Sequence, residues 1–209
     1  MNSILLISSP GAGKGVISKY LNEKYNYFHI SMGNLLRDKA KENENICELL
    51  KQGKFIDNNI VYDIFEKQIK NSNKKNFAFD GFPRNMSQVQ KFEEILKKYD
   101  IIVDKVIYID IKKEIAEKRI SGRLMCLKCN NIYNKYFDNI KDNICKSCGE
   151  KLQKRNDDKI STYEKRYDDF VKNTIPLIDY YKKKGILYTI NNNDSISNAY
   201  NQIDKLMEN

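Results

Sequence analysis

Near the N-terminus the chain reads Ser8-Ser9-Pro10-Gly11-Ala12-Gly13-Lys14-Gly15-Val16, directly after the apolar run Ile4-Leu5-Leu6-Ile7. A glycine-rich turn between a strand and a helix lets backbone N–H groups close around a phosphate, with a lysine reaching its charge. The general pattern G-x-x-x-x-G-K-[ST] is met only in part. Ser8 stands at the first glycine, and Gly15-Val16 stand where a hydroxyl is expected. Gly11, Gly13 and Gly15 remain, and these are the residues that permit close backbone approach. The expectation is a loop that still binds, with impairment only in part.

Two further sets of residues carry chemistry. Of 37 basic side chains only six are arginine: Arg37, Arg84, Arg119, Arg123, Arg155 and Arg166. A guanidinium grips phosphate at two points, which an ammonium cannot copy. In a chain that uses lysine nearly everywhere, these six are the first candidates for a phosphate site; the alternative is six scattered surface arginines. The second set is Cys126-x2-Cys129-x15-Cys145-x2-Cys148. This is the spacing of a four-thiolate zinc site, with free thiols or a degraded site as the alternative. Four thiolates leave no open coordination position, so such a metal would be structural. Cys47 reads as a small buried side chain in a helix. The single histidine, His29, falls in a strand pattern and reads as structural.

The elements that must position these residues follow from composition and period. At 209 residues and 41% apolar content, the chain reads as one globular domain with room for insertions. No apolar run approaches the ~20 residues that span a bilayer. A strand pattern begins by Ser3, so no cleavable leader is expected and a soluble intracellular protein is the default. The net charge of +9 admits polyanions in general, from nucleic acid to nucleotides. Strands are predicted at residues 4–7, 27–30, 77–79, 106–111 and 186–190. Helices are predicted at 13–24, 34–50 and 58–70, from an N-cap at Ser87 to Tyr99, at 161–184 with a bend near Pro176, and at 196–207. Another helix carries Arg119 and Arg123, four apart and so on one face. Alternating strands and helices imply a parallel sheet covered on both faces, with ligand beyond the carboxyl ends of the strands.

In chain order, several motifs resemble those of the adenylate kinase family in its long-lid, zinc-bearing form. PGAGKG resembles the phosphate loop, and Ser31-Met32-Gly33-Asn34-Leu35-Leu36-Arg37 the start of the monophosphate-site helix. Gly53-Lys54-Phe55-Ile56-Asp57 resembles the segment that closes over the acceptor base. Phe79-Asp80-Gly81-Phe82-Pro83-Arg84, followed by Gln88, is the most specific signature. Arg119-Ile120-Ser121-Gly122-Arg123 opens the lid and Arg155-Asn156-Asp157-Asp158 ends it. All six arginines fall on positions where the family places functional arginines. The resemblance implies an α/β fold of the P-loop NTPase type: a five-stranded parallel sheet with helices on both faces, a small zinc-bearing lid and a helical NMP-binding insertion. It divides the chain into a core (1–30, 58–121 and 160–209), an NMP-binding segment (31–57) and a lid (122–159).

The resemblance also implies roles. Gly11, Ala12, Gly13, Lys14, Gly15 and Val16 would cradle the donor phosphates, with Ile132 and Tyr133 beside them. Arg119 and Arg123 would meet the donor, Arg119 near its base. Arg37 and Arg84 would hold the acceptor phosphate, and Arg155 and Arg166 would converge on the transferring group. Met32, Lys54, Phe55, Ile56, Gly81, Phe82 and Pro83 would line the AMP site, and Gln88 would read the adenine edge. Asp80 would orient waters around Mg²⁺. Catalytic standing falls to Lys14, Arg84, Arg119, Arg123, Arg155 and Arg166. Such transfer needs alignment and charge neutralisation but no general base, because the acceptor is already an anion.

The implied activity is reversible transfer from Mg-NTP to AMP, with ATP or GTP as donor, in a cytoplasmic or mitochondrial-matrix monomer without nucleic-acid or membrane partners. Lid closure would keep water from the donor, and Tyr133, Tyr136 and Phe137 would pack inside the zinc-stiffened lid. Val16 stands for a usual Thr, Met32 for a usual Thr and Asn34 for a usual Asp. These departures motivate a second reading, a nucleotide-binding protein with impaired turnover. A zinc module binding nucleic acid is a third.

Overall fold

The computed structural model describes residues 2–129, 131–155 and 158–208; Asn156 and Asp157 of the lid-closing motif lie outside the described residues. The core is a five-stranded parallel sheet in the order β2-β3-β1-β4-β8. Its strands are β1 (Asn2–Ser8), β2 (Phe28–Ser31), β3 (Phe77–Asp80), β4 (Ile102–Asp110) and β8 (Leu187–Asn191). β1 lies centrally, pairing Leu5 with Phe79 on one side and with Val106 on the other. Every residue of β1 after Asn2 is buried, the signature of a parallel strand covered on both faces.

Alternation along β1 divides the core in two. Leu5 and Ile7 point into one apolar cluster, Ile4 and Leu6 into the other. The first is covered by α4 (Asn58–Lys70), α5 (Met86–Lys98) and α8 (Ile175–Lys183), the second by α1 (Lys14–Tyr25), α6 (Lys113–Ser121) and α9 (Ile196–Met207). The chain runs from β1 to β2 and β3 on one side and to β4 and β8 on the other. That reversal opens a crevice at the carboxyl end of β1, where the phosphate loop begins.

The local elements differ from expectation at several points. The helix predicted over 34–50 is two, α2 (Met32–Lys39) and α3 (Glu44–Lys51). The side chain of Asn43 starts the second by accepting from the Ile46 N–H at 3.0 Å. α5 is capped by Asn85, not Ser87; Asn85 accepts from the Gln88 N–H at 3.1 Å, and Ser87 Oγ donates to the same oxygen. Arg123 does not share a helical face with Arg119, because Gly122 ends α6 and Arg123 opens a strand. The helix predicted from 161 to 184 is α7 (Ile160–Asp169), a π-helical turn (Phe170–Thr174) and α8. Pro176 in the first turn of α8 lacks an N–H and crowds the preceding turn, and the chain widens just before it, with the Ile175 N–H reaching Phe170 O.

Between α6 and α7 lies a small antiparallel sheet in the order β6-β5-β7, formed by β5 (Arg123–Cys126), β6 (Ile132–Asn134) and β7 (Leu152–Gln153). Its buried residues are Leu124, Cys126, Cys145 and Leu152. Tyr133 packs against them, but Tyr136 and Phe137 are not inside: they are 48% and 58% exposed, with Lys118 Nζ over both rings. Cys47 is half-buried rather than buried. Among the described residues no helix is long and apolar enough to cross a membrane.

Candidate functional site

A cleft of about 950 Å³ opens at the carboxyl end of the sheet, and all six arginines line it together with Lys14. They arrive from α2, the loop after β3, α6, β5, the segment after β7 and α7, so sequence distance gives no hint of this meeting.

The phosphate loop joins β1 to α1. Gly11 and Gly13 have φ of +84° and +90°, whereas Ser8 is not among the residues with positive φ. The first pattern position therefore does not require glycine here, which explains how Ser8 is tolerated. A Cβ on Gly11 would stand 2.5 Å from Ala116 O, so the bare backbone is what lets α6 approach the loop. Ser8 is not inert either. Lys14 Nζ donates to Ser8 Oγ at 2.8 Å and to Ser8 O at 3.4 Å, while its charge faces Asp80 Oδ1 at 3.9 Å.

β3 ends at Asp80, which its register sets beside Leu6, two residues before the end of β1. Burial opposes its charge, but the His29 imidazole, with Nε2 3.5 Å from Asp80 Oδ2, and the Lys14 ammonium overcome this and hold its pKa at about 2. The carboxylate is thus ionised across the working pH range, which fits the water-orienting role beside Mg²⁺ that the motif implies. Val16 supplies no hydroxyl to a metal. For Lys14 the balance goes the other way. Burial lowers its pKa, Asp80 raises it, and Arg84 and Arg123 lower it further.

Arg84 is exposed to the open cleft, yet it is likewise pulled below its usual value, by desolvation between the cleft walls and then by the Arg166 guanidinium, with Arg37 adding to the effect and Asp80 opposing it. Like charges gathered beside one cleft favour an anion between them. Neutral acceptors orient several of these groups: Gly81 O for Arg84, Asn192 O for Arg119, Met125 Sδ for Arg155 and Leu50 O for Arg166. Arg37 donates to the Asn34 side chain, and Arg123 forms a two-point pair with Asp158.

The remaining predicted site residues divide. Gly11 to Val16, Ile132, Tyr133, Lys54, Phe55, Gly81 and Pro83 line the cleft. Met32, Ile56 and Phe82 are buried in the apolar core behind it. Gln88 is 3% exposed, and both ends of its amide are engaged. Its Oε1 accepts from the Arg84 N–H at 2.8 Å, and its Nε2 donates to Asn58 Oδ1 at 2.7 Å. Among the cleft residues, the sequence reading makes His29 purely structural and has the loop from Asn191 to Asp194 meet the donor base through its backbone, so the side chain of Asn192 has no part in it. A lone histidine in a strand carries no spacing signal, and an asparagine in an Asn-rich loop carries less.

The four cysteines come together as their spacing predicts, with all four Sγ atoms within 4.8 Å of one another. Cys126 and Cys148 lie 3.4 Å apart, Cys129 and Cys145 3.5 Å. Zinc with four bonds of ~2.3 Å needs tetrahedral sulfur edges of about 3.8 Å, so the donor set fits that ion. The cysteine-bearing unit reaches the core: Lys19 Nζ of α1 donates to Asn131 Oδ1 at 3.2 Å, and Asn131 Nδ2 donates to Ser147 Oγ at 2.7 Å.

A family model for adenylate kinase matches residues 6–186. The chain is 34% identical to an adenylate kinase of Archaeoglobus fulgidus over 99% of its own length and 98% of that protein's. It is 34% identical to one of Pelagibacter ubique, covering 99% of each, and 36% identical to one of Rickettsia africae, covering 98% of each.

Proposed function

Since the chain belongs to the adenylate kinase family, and is therefore a phosphotransferase acting on nucleotides, we propose that it moves the terminal phosphoryl group of Mg-bound ATP to AMP, giving two ADP. The convergence of six guanidiniums and one ammonium on a single cleft carries this reading. A loose transition state spreads charge over the equatorial oxygens of the moving group, and fixed cations neutralise it without reorganising.

On this reading the N–H groups from Gly11 to Val16 hold the donor phosphates and Lys14 reaches across them. Arg119 and Arg123 hold the donor, beside Ile132 and Tyr133. Arg37 and Arg84 hold the AMP phosphate between the sheet edge and the α2–α3 insertion, where Lys54, Phe55, Gly81 and Pro83 complete the acceptor wall. Arg155 and Arg166 close on the group in flight. Gln88 reads the adenine edge only by exchanging its Asn58 contact for the base. Met32, Ile56 and Phe82 shape the acceptor pocket from behind. Mg²⁺ bound with the nucleotide would offset phosphate charge, and Asp80 is the residue that would order its waters. Cys126, Cys129, Cys145 and Cys148 would hold a structural zinc, which would stiffen the lid. The enzyme is read as a cytoplasmic monomer, and a calibrated sizing column checks the second term.

A donor-by-acceptor matrix tests the proposal, with Mg²⁺ and zinc present. ADP from ATP plus AMP is expected. Faster initial rates with GTP would make the chain a GTP:AMP phosphotransferase. No ADP from either donor, with tight binding of a two-headed dinucleotide inhibitor, would leave a binding protein instead.

A further inference from the structure

Asn192, in the loop between β8 and α9, is fully buried at the edge of the cleft. Its backbone N–H donates to Asp110 O at 2.9 Å, anchoring it to the end of β4. Its backbone carbonyl accepts from Arg119 Nη2 at 3.1 Å. Its side-chain Nδ2 donates to Ala12 O, inside the phosphate loop, at 2.7 Å. Among the described residues its Oδ1 is buried without a hydrogen-bond partner, so the loop contact is the side chain's one hydrogen bond there.

The Ala12 carbonyl and the Gly13 N–H belong to one planar trans peptide and point in opposite directions. Holding the carbonyl toward Asn192 therefore fixes the Gly13 N–H on the other side of the loop. Gly13, with φ +90°, is free to rotate where other residues are not, so this peptide is the one that gains most from an external hold. The three parts meet closely: a Cβ on Gly13 would lie 3.1 Å from Asn192 Nδ2 and 3.8 Å from Arg119 Nη1.

We propose that Asn192 is a positioning residue for the phosphoryl donor, a brace whose side chain sets the phosphate loop and whose carbonyl sets Arg119, so that both ends of the donor site are held by one buried residue. This rests on the assignment of that loop and Arg119 to the donor. Among the described residues the hydrogen bonds of Asn192 go to Asp110, Arg119 and Ala12, none of them assigned to the acceptor, so its loss should act on the donor.

Equilibrium binding to the full chain tests it, using a non-hydrolysable MgATP analogue, AMP and tripolyphosphate as separate probes. Asn192→Ala should weaken the analogue about tenfold, the equivalent of one buried hydrogen bond, and leave AMP within about twofold. Asn192→Asp keeps the shape but turns a carboxylate oxygen toward Ala12 O, and should weaken the analogue more than alanine does. Tripolyphosphate, which has no base, should also weaken, because the side-chain half of the brace acts on the loop alone. Unchanged analogue affinity, or equal weakening of analogue and AMP, overturns the proposal. If the alanine variant fails to fold, judged by thermal melting and zinc content, the isosteric aspartate carries the test by itself. None of these measurements needs turnover. A wild-type chain that binds neither nucleotide overturns the donor and acceptor assignment itself, whereas wild-type binding without an effect of either variant overturns only the brace.

Discussion

On the two faces of the parallel sheet, side chains from the surrounding helices and all five strands bury two large apolar clusters, one around Phe65, Phe79 and Phe92, the other around Ile4, Leu6 and Ile109. The small sheet β5–β7 encloses Leu124, Cys126, Cys145 and Leu152, and two of those four belong to the cysteine cluster that could hold a metal. The first region can be stable on burial alone. The second has too little apolar surface to offset the entropy of ordering its loops, so a metal held by the four cysteines would supply what the core lacks. The two regions should therefore fail under different perturbations.

The largest effect should come from the metal. Chelation, or Cys129→Ser with Cys145→Ser, removes the equivalent of the apparent ~10–16 kcal/mol that structural zinc contributes to isolated fingers. The segment 122–159 should become protease-sensitive and activity should collapse, while the main thermal transition of the core persists. Unchanged proteolysis of the metal-free protein would break the comparison. Next in size is Phe65→Ala. Phe65 is 1% exposed and meets Phe79, Phe82 and Phe92 at ring-centroid distances of 5.4, 4.7 and 5.5 Å. Its truncation should cost about 3–5 kcal/mol in denaturant unfolding, with zinc content unaltered; loss of zinc in this variant would show the regions to be coupled.

Smaller effects belong to the phosphate loop. Val16→Thr restores a hydroxyl near the phosphates or their metal and should raise kcat by roughly 10-fold or more, the scale of one hydrogen bond to a charged group. The melting behaviour of the lid should not move with it. The smallest is a pH effect. Burial lowers the Lys14 pKa, and a lysine so shifted loses its charge at lower pH than the usual ~10.4. The alkaline limb of kcat/KM for the donor, which reports the free enzyme, should fall below that value. A limb at or above it would show that the loop holds its charge as solvent does. Asp80 works in the opposite window. Its depressed pKa of about 2 means that its charge stabilises the fold above the ordinary carboxylate range, a contribution lost as pH falls through about 2. No acid limb near neutrality should come from it.

Much of the core was legible beforehand because long apolar runs with a clear period leave few alternatives. The run from Ile4 to Ile7 could only be a covered strand, and the cysteine spacing could only gather around a centre if the intervening hairpins formed. The errors lie where one residue decides between two local structures. The residues from 34 to 50 do carry a signal for the break, since Lys41-Glu42-Asn43-Glu44-Asn45 interrupts the apolar period and Asn43 before Glu44 is a cap pattern, but a short polar run also fits the exposed turn of one longer helix. Arg119 and Arg123 are spaced as on a helix, but Gly122 ends that helix between them. Tyr136 and Phe137 look like core by type, yet a sheet of three short strands has no second face to cover them, and Lys118 takes their rings instead.

By itself the sequence determined the glycine turn, the choice of arginine over lysine at six places and the four thiolates, because these are properties of side-chain chemistry and short spacing. It also determined that strands alternate with helices, because hydrophobic period is local. Only the tertiary structure decided that β1 lies between β3 and β4 and that six guanidiniums share one wall. It alone placed Gln88 against Asn58, His29 against Asp80 and Asn192 beneath the loop. Each of these depends on the strand order and on contacts between distant segments, and those are set by the packing of the whole chain rather than by any stretch of it.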